Sequence, residues 1–86
     1  MTWDERAFKE KLDGTHNFPD IYIFKFIVKH ERKAEVELLV KEAEVSLKPS
    51  SGNKYVSVTI KAHMQTSDEV VEVYKEAKKI EGLIAL

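Results

Sequence analysis

The 86-residue sequence has no cysteine, only two prolines and three glycines, and no long apolar run. Without cysteine there is no disulfide, thiolate metal site or cysteine nucleophile, so packing alone must stabilise the fold. This composition suits a reducing compartment, and we expect a cytoplasmic protein. Apolar runs such as residues 21–24 and 26–28 have at most four residues, far fewer than the roughly 20 that cross a bilayer, so no membrane partner is expected.

An excess of charge of one sign is also lacking. The chain has 14 Lys and Arg against 15 Asp and Glu, a net charge of -1, and both signs are mixed throughout. Proteins that bind nucleic acid through its phosphates usually carry a basic arm or patch, so a nucleic-acid partner is not expected. With 43% hydrophobic and 34% charged residues, the chain should fold as a small soluble domain.

Residues 1–17 are predicted to form a short helix and a loop. Thr2 and Glu5 have the spacing of a capping box, which predicts a helix over residues 2–12 and a loop over 13–17. A helix this short is marginal unless it docks on the core. Its apolar stripe consists of Trp3, Ala7, Phe8 and Leu12.

Residues 18–86 are predicted to form a single domain. Residues 21–29 are apolar at both odd and even positions, which indicates a central strand covered on both faces. An amphipathic helix is predicted over residues 31–42, because apolar residues follow the spacing i, i+3, i+4, i+7 there. That stripe consists of Val36, Leu39, Val40 and Ala43.

The second half of the domain begins with a predicted hairpin. Residues 44–48 and 54–63 alternate between apolar and polar, and the turn between them is rich in Ser, Pro and Gly. Thr66 and Glu69 have capping-box spacing, which predicts the start of the next helix, and Gly82 marks its end. Residues 83–86 are predicted to form a short last strand.

This order predicts an α+β fold, the ferredoxin-like βαββαβ sandwich. Its four-stranded antiparallel sheet would carry two helices on one face, with the first and third strands central and the short N-terminal helix added. The other sheet face would be open. If Phe24, Phe26 and Val28 lie under the helices, six residues share the open face: Ile23, Lys25, Ile27, Tyr55, Ser57 and Thr59. The opposite orientation of the first strand would expose three aromatic rings instead.

Three segments of the sequence match a known pattern. They are KPSSGNKYVSVTI at residues 48–60, EVYKE at residues 72–76 with Ile80, and Phe18-Pro19 ahead of the first strand. Together they resemble the YbeD-like family of small bacterial proteins, a domain of unknown function, over residues 18–86. The resemblance implies a ferredoxin-like fold close to the amino-acid-binding ACT domains and a regulatory role linked to lipoate metabolism. It implies no catalytic residues.

Enzyme chemistry is poorly supported by the residues. Acylphosphatases of this topology bind phosphate with an Arg in a Gly-containing loop, whereas residues 29–33 contain Arg32 and Glu31 but no Gly. The three histidines have no metal-ligand spacing and are interpreted as surface residues: His16, His30 and His63. We therefore expect a non-enzymatic protein with no catalytic residue, no cofactor and no metal.

Three binding functions are compatible with this topology. RNA-recognition domains stack bases on aromatic rings of the first and third strands, but only Tyr22 and Tyr55 resemble that arrangement and the third strand lacks a second ring. An ACT-like small-metabolite sensor is the main alternative, although the loop after the first strand has no glycine for close backbone approach. The favoured hypothesis is an accessory or regulatory domain that contacts an unidentified protein, or a second copy, through the open face.

Overall fold

The computed structural model describes residues 4–50, 52 and 54–86. They form a mixed α+β structure with three helices and four strands. In chain order the elements are α1 (Glu5–Thr15), β1 (Asp20–Lys29), a 3-10 turn (His30–Arg32), α2 (Lys33–Glu37), β2 (Glu44–Pro49), β3 (Tyr55–Met64), α3 (Ser67–Ala77) and β4 (Ile84–Ala85). No helix among these residues is long and apolar enough to cross a membrane.

The four strands form one antiparallel sheet in the order β2-β3-β1-β4. This confirms the predicted α+β class and the four-stranded antiparallel sheet. Strands β1 and β3 pair along their whole length, with Asp20 opposite Met64 and Lys29 opposite Tyr55. Because this register contains no bulge, every second residue of β1 and β3 lies on the same face of the sheet.

The core lies between the helices and one face of this sheet. All three helices contribute to the same buried cluster, α1 through Leu12, α2 through Val36 and α3 through Val70. Strands β1 and β3 contribute even-numbered residues, which are Phe24, Phe26 and Val28 from β1 and Val56, Val58, Ile60, Ala62 and Met64 from β3. The orientation of β1 that places its phenylalanines under the helices is therefore the one adopted.

Among the described residues, no helix covers the second face of β1, and what covers that face stays a prediction. Ile21 and Ile23 are 52% and 51% exposed. Helix α1 does not cover them, because Leu12 joins the core on the opposite face and the ring of Phe8 packs edge-on against Tyr74 of α3 at 5.1 Å. The odd-numbered face of β1 thus remains accessible.

The first helix begins and ends later than predicted. Asp4 is its N-cap, since Asp4 Oδ1 accepts a hydrogen bond from the Ala7 N–H at 3.0 Å. The predicted cap, Thr2, lies outside the described residues, as does Trp3. The helix continues through the predicted loop to Thr15, whose hydroxyl donates to the Lys11 carbonyl at 2.9 Å. The division of the chain into residues 1–17 and 18–86 stays a prediction.

The helix predicted over residues 31–42 is much shorter in the structure. A 3-10 turn precedes α2, which has only five residues and ends where the Leu39 N–H bonds to the Val36 carbonyl at 3.1 Å. An irregular turn then half-buries Leu39 and Val40 against the core but leaves Leu38 82% exposed. Glu42 has a positive φ of 55°, which redirects the chain into β2.

The start of α3 confirms the predicted cap with one change. Thr66 Oγ1 accepts from the Glu69 N–H at 3.3 Å, as capping-box spacing requires. The Glu69 carboxylate reaches back one residue further than expected and accepts from the Gln65 N–H at 2.7 Å. Two backbone donors at the helix start are thereby satisfied.

Candidate interaction surface

The sheet face opposite the helices presents several exposed aliphatic side chains among the described residues. We call it the open face. The pairing registers and the alternation of side chains place fifteen residues on it. They are Ile21, Ile23, Lys25, Ile27 and Lys29 of β1; Tyr55, Ser57, Thr59, Lys61 and His63 of β3; Glu44, Ser46 and Lys48 of β2; Ile84 of β4; and Leu86 after it.

Aliphatic side chains occupy the β1 and β4 side of the open face. Ile84 lies opposite Ile27 and is 53% exposed, and Ile27 is half-buried. The Leu86 N–H donates to the Lys25 carbonyl at 2.9 Å, which continues the β4 ladder by one residue and leaves the Leu86 side chain 68% exposed. Together with Ile21 and Ile23, which Lys25 separates from Ile27 along β1, these residues form an apolar stripe on this side of the open face. Monomers rarely leave large apolar patches exposed without a functional reason.

Lysines lie within and beside this stripe. The open face carries four lysines and a single glutamate, Glu44, which lies opposite Lys61. The lysines are Lys25, Lys29, Lys48 and Lys61. Since the whole chain has a net charge of -1, the remainder of the molecule is acidic overall. The charges are thus separated between the two sides of the sheet, although the sequence mixes them.

All six residues predicted for the interaction surface lie on the open face. Lys25 is opposite Thr59 and Ile27 is opposite Ser57 in the β1 and β3 ladder, while Ile23 faces Lys61. Tyr55 is exposed at the end of β3, and Ser57 and Thr59 are half-buried. Their role in binding stays a prediction.

The sequence interpretation missed three apolar members of the open face. Ile21 has the same parity as Ile23 in the sequence, so this signal was available. Ile84 and Leu86 could not be assigned in the same way, because their face depends on which β1 residues β4 pairs with.

Among the described residues, the Phe and Tyr side chains other than Tyr55 lie in or against the core on the helix side. Tyr22 is half-buried there, with its ring 5.3 Å from His16 and its hydroxyl 3.3 Å from the hydroxyl of Tyr74. Burial, followed by this hydrogen bond, raises the pKa of Tyr74 above its ordinary value. Base stacking by RNA-recognition domains needs several rings on the open face, and the described residues supply one there.

The polar groups of the described residues are dispersed and form no metal-binding cluster of three or more His, Cys, Asp or Glu. His16 lies 3.7 Å from Asp20, and His63 lies 3.2 Å from Gln65. Arg32 pairs with Glu35 at 3.1 Å and with Glu81 at 3.4 Å. The hydrogen bond and charge of Glu35 raise the pKa of Arg32, so this guanidinium is already paired with carboxylates rather than offered to a phosphate.

A shallow groove lies where β1 ends. It has a volume of about 450 Å³ and is lined by Lys29, His30, Glu31 and Lys54. The His30 N–H donates to the Lys54 carbonyl at 3.1 Å, which holds the two sides of the groove together. Two lysines against one carboxylate make the groove suited to a small anion more than to a cation.

These observations define a small α+β protein with an antiparallel sheet that is covered on one face. A family model described as a protein of unknown function, DUF493, matches residues 13–86. The chain therefore belongs to the DUF493 family, which is the YbeD-like family that its hairpin resembles. Comparisons with curated proteins and with solved structures give no match.

Proposed function

We propose that this protein is a non-enzymatic contact module that binds another protein through the open face. The observation that carries the proposal is the stripe of half-exposed aliphatic residues with lysines within and beside it. An apolar centre with a charged rim is typical of protein interfaces. We also propose, from the absence of cysteine, that it acts in the cytoplasm.

The apolar stripe supplies a driving force of moderate size. Ile21, Ile23 and Ile84 each retain about half of their surface in contact with solvent. Complete burial of an isoleucine side chain contributes roughly 1.5 to 3 kcal/mol, so covering the exposed half contributes on the order of 1 kcal/mol each. Such a sum is consistent with reversible association.

The lysines favour a different protein over a second copy. If two open faces met, the four lysines of one copy would approach those of the other, and like charges in an interface are costly. An acidic partner surface with an aliphatic centre would complement both features. We therefore propose a heterologous acidic partner.

We further propose that the sheet and helices form a ferredoxin-like sandwich. The central position of β1 and β3 supports this assignment. The five-residue α2 departs from it, because the first crossover helix of such a fold is normally longer. A regulatory role of the ACT type would follow from this fold only by analogy.

The contact hypothesis is tested with two substitutions of the same kind on different sides of the molecule. Ile23→Glu places a charge in the aliphatic stripe, whereas Leu38→Glu changes a still more exposed leucine in the turn after α2. Tagged wild-type protein and both variants are used for affinity capture from nuclease-treated lysate of the source organism. We expect a protein retained by wild type and by Leu38→Glu and lost with Ile23→Glu.

Thermal unfolding serves as the control for this experiment. Both variants should unfold within a few degrees of wild type, since neither residue is in the core. Equal retention of every captured protein by Ile23→Glu and wild type would exclude the open face as the contact surface. Loss of all retention after nuclease treatment would indicate a nucleic-acid partner instead.

A small-metabolite sensor is the second candidate, and the groove at the end of β1 favours it. Lys29 and Lys54 could hold a carboxylate there. A ligand that binds only the folded state stabilises it by about 2.7 kcal/mol at a hundredfold excess over Kd. We expect amino acids or lipoate-related carboxylates to raise Tm of wild type but not of Lys54→Ala; the absence of any shift across these compounds would count against the sensor.

A further inference from the structure

Strand β1 is much longer than the strand beside it. It pairs with β3 over ten residues, but β4 pairs only with Phe26 and Ile27, and Leu86 adds one bond to Lys25. In the described part of the chain, residues 20–24 of β1 therefore have a strand on the β3 side only. We call this segment the free edge of β1.

The ladder geometry identifies which main-chain groups the free edge presents. In an antiparallel pair, alternate residues direct both their N–H and C=O groups toward the same neighbour. Lys25 directs its carbonyl to the β4 side, so Ile23 and Ile21 direct their groups to that side as well. The Ile21 N–H is satisfied by Asp20 Oδ1 at 2.8 Å. The carbonyl of Ile21 and both groups of Ile23 remain available on this side.

The opposite edge of the sheet is better protected. Ser50 donates to Tyr55 across the β2 and β3 pair, so even-numbered residues of β2 face β3 and odd-numbered ones face outward. Pro49 is one of the outward residues and has no N–H, and Lys48 precedes it. Proline and lysine are devices that discourage strand addition at an edge. The free edge of β1 has neither between residues 20 and 24.

The side chains at the free edge have the same period as its main-chain groups. Ile21 and Ile23 carry the available groups, and their half-exposed side chains lie on the open face. An extended chain presents donors, acceptors and side chains with this period of two, whereas a helix satisfies its own main chain and offers no such row. This pattern therefore favours a bound segment in extended conformation over a helix.

We propose that the free edge of β1 is a strand-addition site for an extended segment of a partner protein, with aliphatic residues at alternate positions. The segment would continue the line of β4 and run antiparallel to β1. The residue opposite Ile23 would exchange two hydrogen bonds with it and place its side chain on the open face. Strand addition is one mode of the proposed protein contact and rests on that proposed function. Its support comes from the unpaired main-chain groups of β1 and not from the side chains of the open face.

The site can be tested without knowing the partner, by extending the chain at its C-terminus. Because Leu86 lies opposite Lys25, the second and fourth added residues would lie opposite Ile23 and Ile21. One variant carries the extension Thr-Val-Thr-Val-Glu. The matched control carries Thr-Pro-Thr-Pro-Glu, in which the two residues that would donate to β1 have no N–H. Amide hydrogen exchange by NMR and Tm are measured for both and for wild type.

In wild type we expect the Ile23 amide to exchange at least about tenfold faster than those of Tyr22 and Phe24, which bond to β3. The valine extension should slow exchange at Ile23 by about tenfold or more and raise Tm by roughly 4 °C. The proline extension should do neither. Protection of Ile23 in wild type equal to that of its neighbours, or no effect of the valine extension, would overturn the proposal.

Two further measurements separate this site from its alternatives. Sedimentation of wild type should show a monomer; a dimer that itself protects Ile23 would make a second copy the occupant and overturn the proposal of a different protein. Tyr55→Glu changes the open face but not the free edge, so the valine extension should protect Ile23 equally in that background. If affinity capture through the open face fails, the effect of the valine extension on Ile23 exchange still decides whether the free edge accepts a strand.

Discussion

Tyr74 of α3 joins the helices to the sheet through a single ring. It lies 5.1 Å from Phe8 of α1, 5.3 Å from Phe24 and 5.7 Å from Phe26, with distances measured between ring centroids. Only 9% of the residue is exposed, and its hydroxyl has Tyr22 as a partner. Deprotonation would place a charge in this aromatic cluster, which is why burial raises the pKa of Tyr74 above the ordinary value of about 10.

The raised pKa of Tyr74 predicts a loss of stability at alkaline pH. Above about pH 10 the unfolded chain releases this proton while the folded chain retains it, so the free energy of unfolding falls as pH rises. The contribution of this group is complete below pH 10 and decreases by at most about 1.4 kcal/mol per pH unit above it. Urea unfolding between pH 8 and about 12 should show a shallower decline for Tyr74→Phe than for wild type. Tyr55→Phe, at an exposed position, should keep the wild-type slope; identical slopes in all three proteins would contradict the assignment.

At the scale of the element, β3 has two faces with different energetic roles. Val58 is fully buried under the helices, whereas its neighbour Thr59 is half-buried on the open face. Val58→Ala removes core methyl groups and should lower the free energy of unfolding by roughly 1 to 3 kcal/mol. Thr59→Ala should change it by about 0.5 kcal/mol or less. Urea unfolding of the two variants measures this ranking, and the reverse order would mean that the faces are assigned incorrectly.

The elements differ in how well local sequence determines them. The alternation in β3 and the cap of α3 are both local signals, and both predictions are confirmed. The apolar stripe that predicts a helix over residues 31–42 does pack against the core. However, Leu39 and Val40 are half-buried by an irregular turn and not by further turns of helix. At the start of α1, Asp4 is the N-cap, whereas capping-box spacing predicts Thr2, which lies outside the described residues. The spacing of apolar residues predicts which side chains are buried, but it does not specify the backbone conformation that buries them.

At the scale of the whole molecule, pairing between distant strands produces the open face. Its six predicted residues follow from alternation once the orientation of β1 is chosen, but Ile84 and Leu86 join it only through the register between β4 and β1. The charge separation has the same origin. A net charge of -1 and a mixed sequence conceal four lysines that the register brings to one face. The net charge predicts no basic surface, because it is a sum over the whole chain. Strand pairing nevertheless places four lysines on one face of the sheet.

This separation predicts how association through the open face depends on salt. Lysines around an apolar centre mainly steer an acidic partner and set its association rate. For the protein captured by wild type, Lys25→Glu should slow association by about tenfold at low ionic strength, and the difference should shrink at about 0.5 M salt, where the Debye length is only a few ångströms. Lys79→Glu makes the same charge change beyond the end of α3, where Lys79 pairs with Glu76 at 3.1 Å, and should leave the rate within about twofold of wild type. Surface plasmon resonance at two salt concentrations measures both variants. Equal slowing by the two would mean that only total charge matters and that the lysines of the open face do not position the partner.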